Sequence, residues 1–155
     1  MTTSYLLPHK WKTLGWVLLI IGLIGGVYLL FNDLESNLLK VPVFSIFDEP
    51  IIGQKGNFHI IENSFMDELT SILIIIGGLI VGFTKERIED EYIAKLRTES
   101  LIWAIVFNYA VLFLGIVFVY GLSFFQVLVF NMFTPLLFFI IRFNFLKLKS
   151  NSDEE

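Results

Sequence analysis

The sequence predicts an all-α membrane protein with four transmembrane helices and both termini cytoplasmic (N-in/C-in). A small β-rich extracytoplasmic segment is expected between helices 1 and 2, and a charged cytoplasmic helical extension before helix 3. Three observations predict this. The chain is 55% hydrophobic with 17% charged residues, against about 25% charged in an ordinary soluble domain. Its charges are clumped, which leaves long uncharged runs at 13–32, 69–84 and 101–141. Its basic residues are sorted to one side of the predicted spans.

The runs set the span count. A spanning helix needs about 20 mostly apolar residues. The run 101–141 would be about 60 Å long as a single helix at about 1.5 Å per residue, roughly twice the hydrocarbon thickness. It therefore folds back, and Tyr120-Gly121-Leu122-Ser123 is the natural break. The spans are expected at about 12–31, 64–84, 100–120 and 124–145, within one membrane domain covering 1–155. The first apolar stretch is longer than a signal-peptide core, and no small-residue cleavage site follows it, so it reads as a retained span.

Orientation follows from Lys and Arg near span ends, which favour the cytoplasm. Lys10, Lys12, Lys85, Arg87, Lys95, Arg97, Arg142, Lys147 and Lys149 fall in the N-terminal tail, the 85–100 connector and the C-terminal tail. Segment 33–68 holds only Lys40 and Lys55 against seven acids. The implied location is a bacterial inner membrane.

In span one, Gly22 and Gly26 form a small-xxx-small pair, and Gly78 and Gly82 form another in span two. Small residues let helices approach closely, so these two glycine faces are expected to pack together, with homo-oligomerisation through the first face as the alternative. Ser64 with Asp67 makes a loose capping box opening span two. Span three reads as a continuous helix back to Lys85. On it, Ile88, Tyr92, Ile93 and Leu96 form one apolar stripe among Glu89, Asp90, Glu91, Lys95 and Arg97. This helix either projects as a rod or lies on the membrane surface. Asn108 in span three and Gln126 and Asn131 in span four are polar groups that join helices by hydrogen bonds. Pro135 bends span four.

The external segment 33–63 is too long for a tight turn and too polar to span. VPVFSIF alternates weakly, and EPIIGQKGNFHII looks like a hairpin around Gly53–Gly56, together forming a β-rich cap over the outer face. His59 with Glu62, or Asp48 with Glu49, makes a poor metal-ligand set. The chain lacks cysteine, which excludes disulfides and thiol chemistry. Hydrolase, zinc-protease, Walker and dinucleotide fingerprints are absent, and the basic residues are too mixed with acids for nucleic-acid binding. No catalytic residue, cofactor or metal is therefore expected, and the chain reads as a non-enzymatic protein.

KERIEDEYIAKLRTESLIWAIVFNYA (85–110) and NMFTPLLFFIIRFNF (131–145) together resemble a loose class of small bacterial four-span membrane proteins of unassigned function, often encoded beside a helix-turn-helix regulator. The resemblance implies a signalling or regulator-tethering role. The expected function is docking or signalling: the 85–100 helix binds a protein partner in the membrane or cytoplasm, the stripe supplying contact and the charges specificity. Two alternatives remain open. One is a structural subunit or assembly factor of a larger membrane complex. The other is a lipid or hydrophobic-ligand handler with a pocket around Asn108, Gln126, Asn131 and Pro135. Membrane lipids are partners on every reading.

Overall fold

A computed structural model describes residues 5–31, 40–48 and 56–153. Four α-helices carry the fold: α1 (Trp11–Phe31), α2 (Phe65–Gly82), α3 (Glu91–Phe118) and α4 (Leu122–Asp153). Between α1 and α2 lie strands β1 (Lys40–Asp48) and β2 (Gly56–Ser64). The strands pair antiparallel in the register Lys40↔Ser64 to Asp48↔Gly56, and β2 runs straight into α2.

Three parts of the expected fold class are corrected. Among the described residues three helices, not four, are long and apolar enough to cross a membrane: Trp11–Phe31, Glu91–Phe118 and Ser123–Ser150. The exception is α2, which has 18 residues with Asp67 and Glu68 in its first turn. At about 1.5 Å per residue it is about 27 Å long, and its acids shorten the apolar part further. The β-rich cap is also not matched. Among the described residues the strands pair with each other, and the other extensive packing between elements is helix on helix. The expected turn at Gly53–Gly56 falls largely in 49–55, outside the described residues, as do the side chains of His59, Glu62 and Asp48 and the whole of Glu49.

The helices pack as an open row rather than a closed bundle. α1 lies on α2, α2 on α4, and α4 on α3, with no comparable packing between α1 and α3. The core runs along this row through Leu19, Ile74, Val81, Phe139, Phe143 and Ala104. Most large apolar side chains outside it are exposed, among them Ile24, Val106, Phe113 and Phe118. Water would penalise such faces heavily, whereas lipid would not.

The glycines explain the close seams, but not in the predicted pairing. A Cβ on Gly22 would lie 2.8 Å from the backbone nitrogen of Ile74, and one on Gly77 would strike the backbone of Leu19. These two seat α1 against α2. Gly26 is looser, its added Cβ 3.6 Å from Thr70 Cγ2. Gly78 and Gly82 turn the other way, toward Leu136 and Phe139 of α4. The second glycine pair therefore makes the α2–α4 seam, not a glycine-to-glycine face with α1. Between α3 and α4 the chain reverses at Gly121, whose φ of 69° is in the left-handed region that side chains resist.

The charged helical extension before helix 3 is also revised. Residues 83–90 form a turn, and α3 starts at Glu91 behind an N-cap at Asp90, whose side chain accepts from the Ile93 N–H at 2.8 Å. The continuous rod from Lys85 is thus broken.

Candidate functional site

The turn 83–90 is drawn into one end of the helix row, where the start of α1, the end of α2, the start of α3 and the last turns of α4 meet. A short strap from the N-terminal segment holds it first. The Leu7 N–H donates to Phe83 O at 2.9 Å, and the Lys85 N–H donates to Leu7 O at 2.9 Å. The His9 Nδ1–H donates to Lys85 O at 3.0 Å, which assigns the proton to that nitrogen. Leu6, only 7% exposed, plugs the strap into the core.

Two carboxylates then fix the turn. Glu86 receives a lysine from each of two helices: Lys12 of α1 on Oε1, and Lys147 of α4 on Oε2 at 2.8 Å. Its side chain is 6% exposed. Burial pushes the Glu86 carboxyl up, but the hydrogen bonds and charges of Lys12 and Lys147 outweigh it and hold the group below its usual 4.5. Glu89 takes Arg97 in a two-pronged pair, Nη1–Oε1 2.6 Å and Nη2–Oε2 3.1 Å, and accepts the Glu86 N–H at 2.8 Å. The two carboxylates are therefore linked through the turn backbone.

Arg97 is 5% exposed and spends its remaining reach inward. Nη2 also donates to Thr84 O at 3.3 Å, and the guanidinium lies 5.1 Å from the Phe143 ring centroid. Planar Arg suits such a fork and a stacked ring at once. One helical turn nearer the row's centre, Arg142 donates to Ser100 Oγ at 3.0 Å and lies over Trp103. Trp and Arg of this kind gather at membrane–water interfaces.

The apolar stripe does not stay together. Leu96 is buried at 6%, and Ile93 packs against the core. Ile88 stands off the helix, 77% exposed, and Tyr92 is 52% exposed. Glu91 and Lys95 face outward, with Lys95 3.9 Å from Glu99. Of the nine connector residues singled out in the sequence, Glu89, Ile93, Leu96 and Arg97 are structural. Asp90 is a cap, and Ile88, Glu91, Tyr92 and Lys95 form the free outer surface. Arg87 joins that surface, exposed and without an ion pair among the described residues.

Sequence reasoning missed Glu86 as the central group. The signal lay in the charge count: a lone acid between Lys85 and Arg87 in a segment otherwise read as one helix.

Beside Glu86 a cleft of about 320 Å³ opens between the turn and the end of α4. Arg87, Ile88, Asp90 and Tyr92 line one side, and Lys147 and Ser150 the other.

The polar residues in the predicted spans assemble only in part. Asn131 Nδ2 donates to Asn108 O at 3.4 Å, tying α4 to α3. Gln126 is exposed and makes no hydrogen bond among the described residues. Pro135 lies inside α4, and Thr134 Oγ1 donates to Phe130 O at 3.0 Å one turn back. These residues do not line a common cavity among those described.

No family model, curated relative or solved structure matches this chain.

Proposed function

We propose that the chain is a non-enzymatic, multi-pass protein of a bacterial inner membrane. Its charged end faces the cytoplasm and docks a protein partner. One observation carries the reading: Ile88 and Tyr92 stay exposed on a backbone that Glu86, Glu89 and the Leu7 strap hold in place. Binding to a surface that is already ordered avoids the entropy cost of fixing it. Arg87, Glu91 and Lys95 surround these two residues and would set partner choice through complementary charge. The likeness of 85–110 to proteins encoded beside a regulator supports a cytoplasmic partner.

The orientation rests on the sorting of Lys and Arg and on the gathering of Lys12, Arg97 and Lys147 at one end. The test is in-cell crosslinking followed by purification in mild detergent, comparing the native chain with Ile88→Ala/Tyr92→Ala. Both side chains are exposed, so the variant should keep the native melting temperature. The reading expects a cytoplasmic protein that is recovered with the native chain and lost with the variant. Equal recovery from both removes this surface as the docking element.

The open helix row favours a second reading, a structural subunit of a larger membrane complex. Its edge helices α1 and α3 each pack on a single neighbour. That reading expects the same membrane proteins with both chains, and instability of the chain when purified alone.

A further inference from the structure

The cleft beside Glu86 is unbalanced in its hydrogen-bond capacity. Both acids that line it are already engaged: Glu86 by Lys12 and Lys147, and Asp90 as the cap of α3. The donors are not. Arg87 has no partner among the described residues, and neither the Tyr92 hydroxyl nor Ser150 makes a hydrogen bond there. Lys147 gives one of its three donors to Glu86. A guanidinium alone offers five donors in a fork that matches phosphate oxygens. The unspent chemistry of the cleft is that of an anion-binding site.

Its depth narrows the anion. The Arg142–Trp103 contact marks a membrane-interface level. Lys147 lies five residues beyond Arg142 on the same helix, about 7.5 Å further out. Headgroup layers are about 5–7 Å thick on each side of the hydrocarbon, so the near edge of the cleft stands at the outer margin of the headgroup layer. Ile88 and Ile93 add an apolar wall beside the donors, which suits the glycerol and upper acyl region of a lipid and not a free ion. At about 320 Å³ the cleft is at the small end of ligand sites, large enough for a headgroup but not for a whole lipid.

We propose that this cleft binds the phosphate of an anionic glycerophospholipid, with Arg87 and Lys147 as the charged contacts and Tyr92 and Ser150 as neutral donors. The proposal rests on the reading of the chain as a membrane protein. That reading is checked separately, by whether the chain stays in the membrane pellet after an alkaline carbonate wash.

The test uses the full chain, purified and delipidated in a neutral detergent. Melting is followed with added phosphatidylglycerol, phosphatidylcholine, glycerol 3-phosphate or inorganic phosphate. Phosphatidylglycerol should raise the melting temperature by about 2–4 °C, phosphatidylcholine by clearly less, and the two water-soluble phosphates not at all at the same concentration. Arg87→Ala should lose most of the shift while melting normally without lipid, because Arg87 is exposed and has no ion pair among the described residues. Lys10→Ala, which removes an exposed cation outside the cleft, should keep the shift. Equal shifts with both lipids would overturn the proposal. So would an undiminished shift in Arg87→Ala, or an equal response to inorganic phosphate.

Discussion

Glu86 joins three elements through one carboxylate, since Lys12 belongs to α1, Lys147 to α4, and Glu86 itself follows α2. Removing one partner of a buried pair leaves an uncompensated charge and costs about 3–5 kcal/mol. Glu86→Ala should therefore lower stability by that order, read by unfolding in detergent. Glu86→Gln should cost less, because the amide still accepts hydrogen bonds from either lysine. The same group sets a pH dependence. Its folded pKa lies below 4.5, so its contribution is complete above about that value and is lost as pH falls through the lower folded one. Melting temperature should thus fall on acidification below 4.5, and Glu86→Gln should flatten that limb. Arg97→Lys is a sharper probe than it looks. Lysine keeps the charge but cannot make the two-pronged contact with Glu89 and also reach Thr84 O, so it should destabilise nearly as much as Arg97→Ala.

At the scale of elements, the α1–α2 seam depends on two glycines. A side chain at Gly77 or Gly22 would meet backbone, and backbone cannot rotate away. Gly77→Ala and Gly22→Ala should each cost about 1–3 kcal/mol, while Gly26→Ala, with ordinary contact distances, should be nearly neutral. Resistance to unfolding by SDS would rank the three. The stripe behaves unevenly for a similar reason. Leu96→Ala removes a buried side chain and should cost about 2–5 kcal/mol, whereas Ile88→Ala should change little.

These elements also show what could be read from the sequence. Helix positions α1, α3 and α4 were legible, because long uncharged runs have few other homes. The Lys and Arg sorting was legible as a charge pattern, though not as a cluster. The break at 83–90 was not, because every residue from Lys85 to Leu96 tolerates a helix. The turn is fixed by long-range pairs, Glu86 with Lys147 and Leu7 with Phe83 and Lys85, which no local pattern reveals. Asp90 ahead of Glu91 was the one local hint, since Asp is a favoured N-cap. Likewise Gly78 and Gly82 were recognised as a packing face, but periodicity cannot say which neighbour meets it.

On the scale of the whole molecule, four helices in an open row leave two edges and two broad apolar faces. Only 22%, 11% and 17% of the apolar windows of α1, α3 and α4 are buried by the protein itself, so most of their surface must be covered by lipid or by other chains. The polar end is the opposite case. It is compact, ion-paired and closed by the N-terminal strap, and it gives a rigid base to the exposed Arg87, Ile88 and Tyr92. The central claim is that the charged connector is folded into this end and does not stand free as a helical arm.

The cysteine-free sequence makes the decisive measurement simple: the rate at which single cysteines react with a water-soluble thiol reagent in mild detergent. Ser100→Cys and Thr84→Cys are near-isosteric changes at positions 0% and 1% exposed, and Ile88→Cys sits at a position 77% exposed. Fast labelling at 88 with protection at 84 and 100, and loss of that protection when Glu86→Ala is added, is the result predicted. Labelling at 84 and 100 as fast as at 88 in the otherwise native chain would contradict the account, because it would mean that the connector is not held in the end of the helix row.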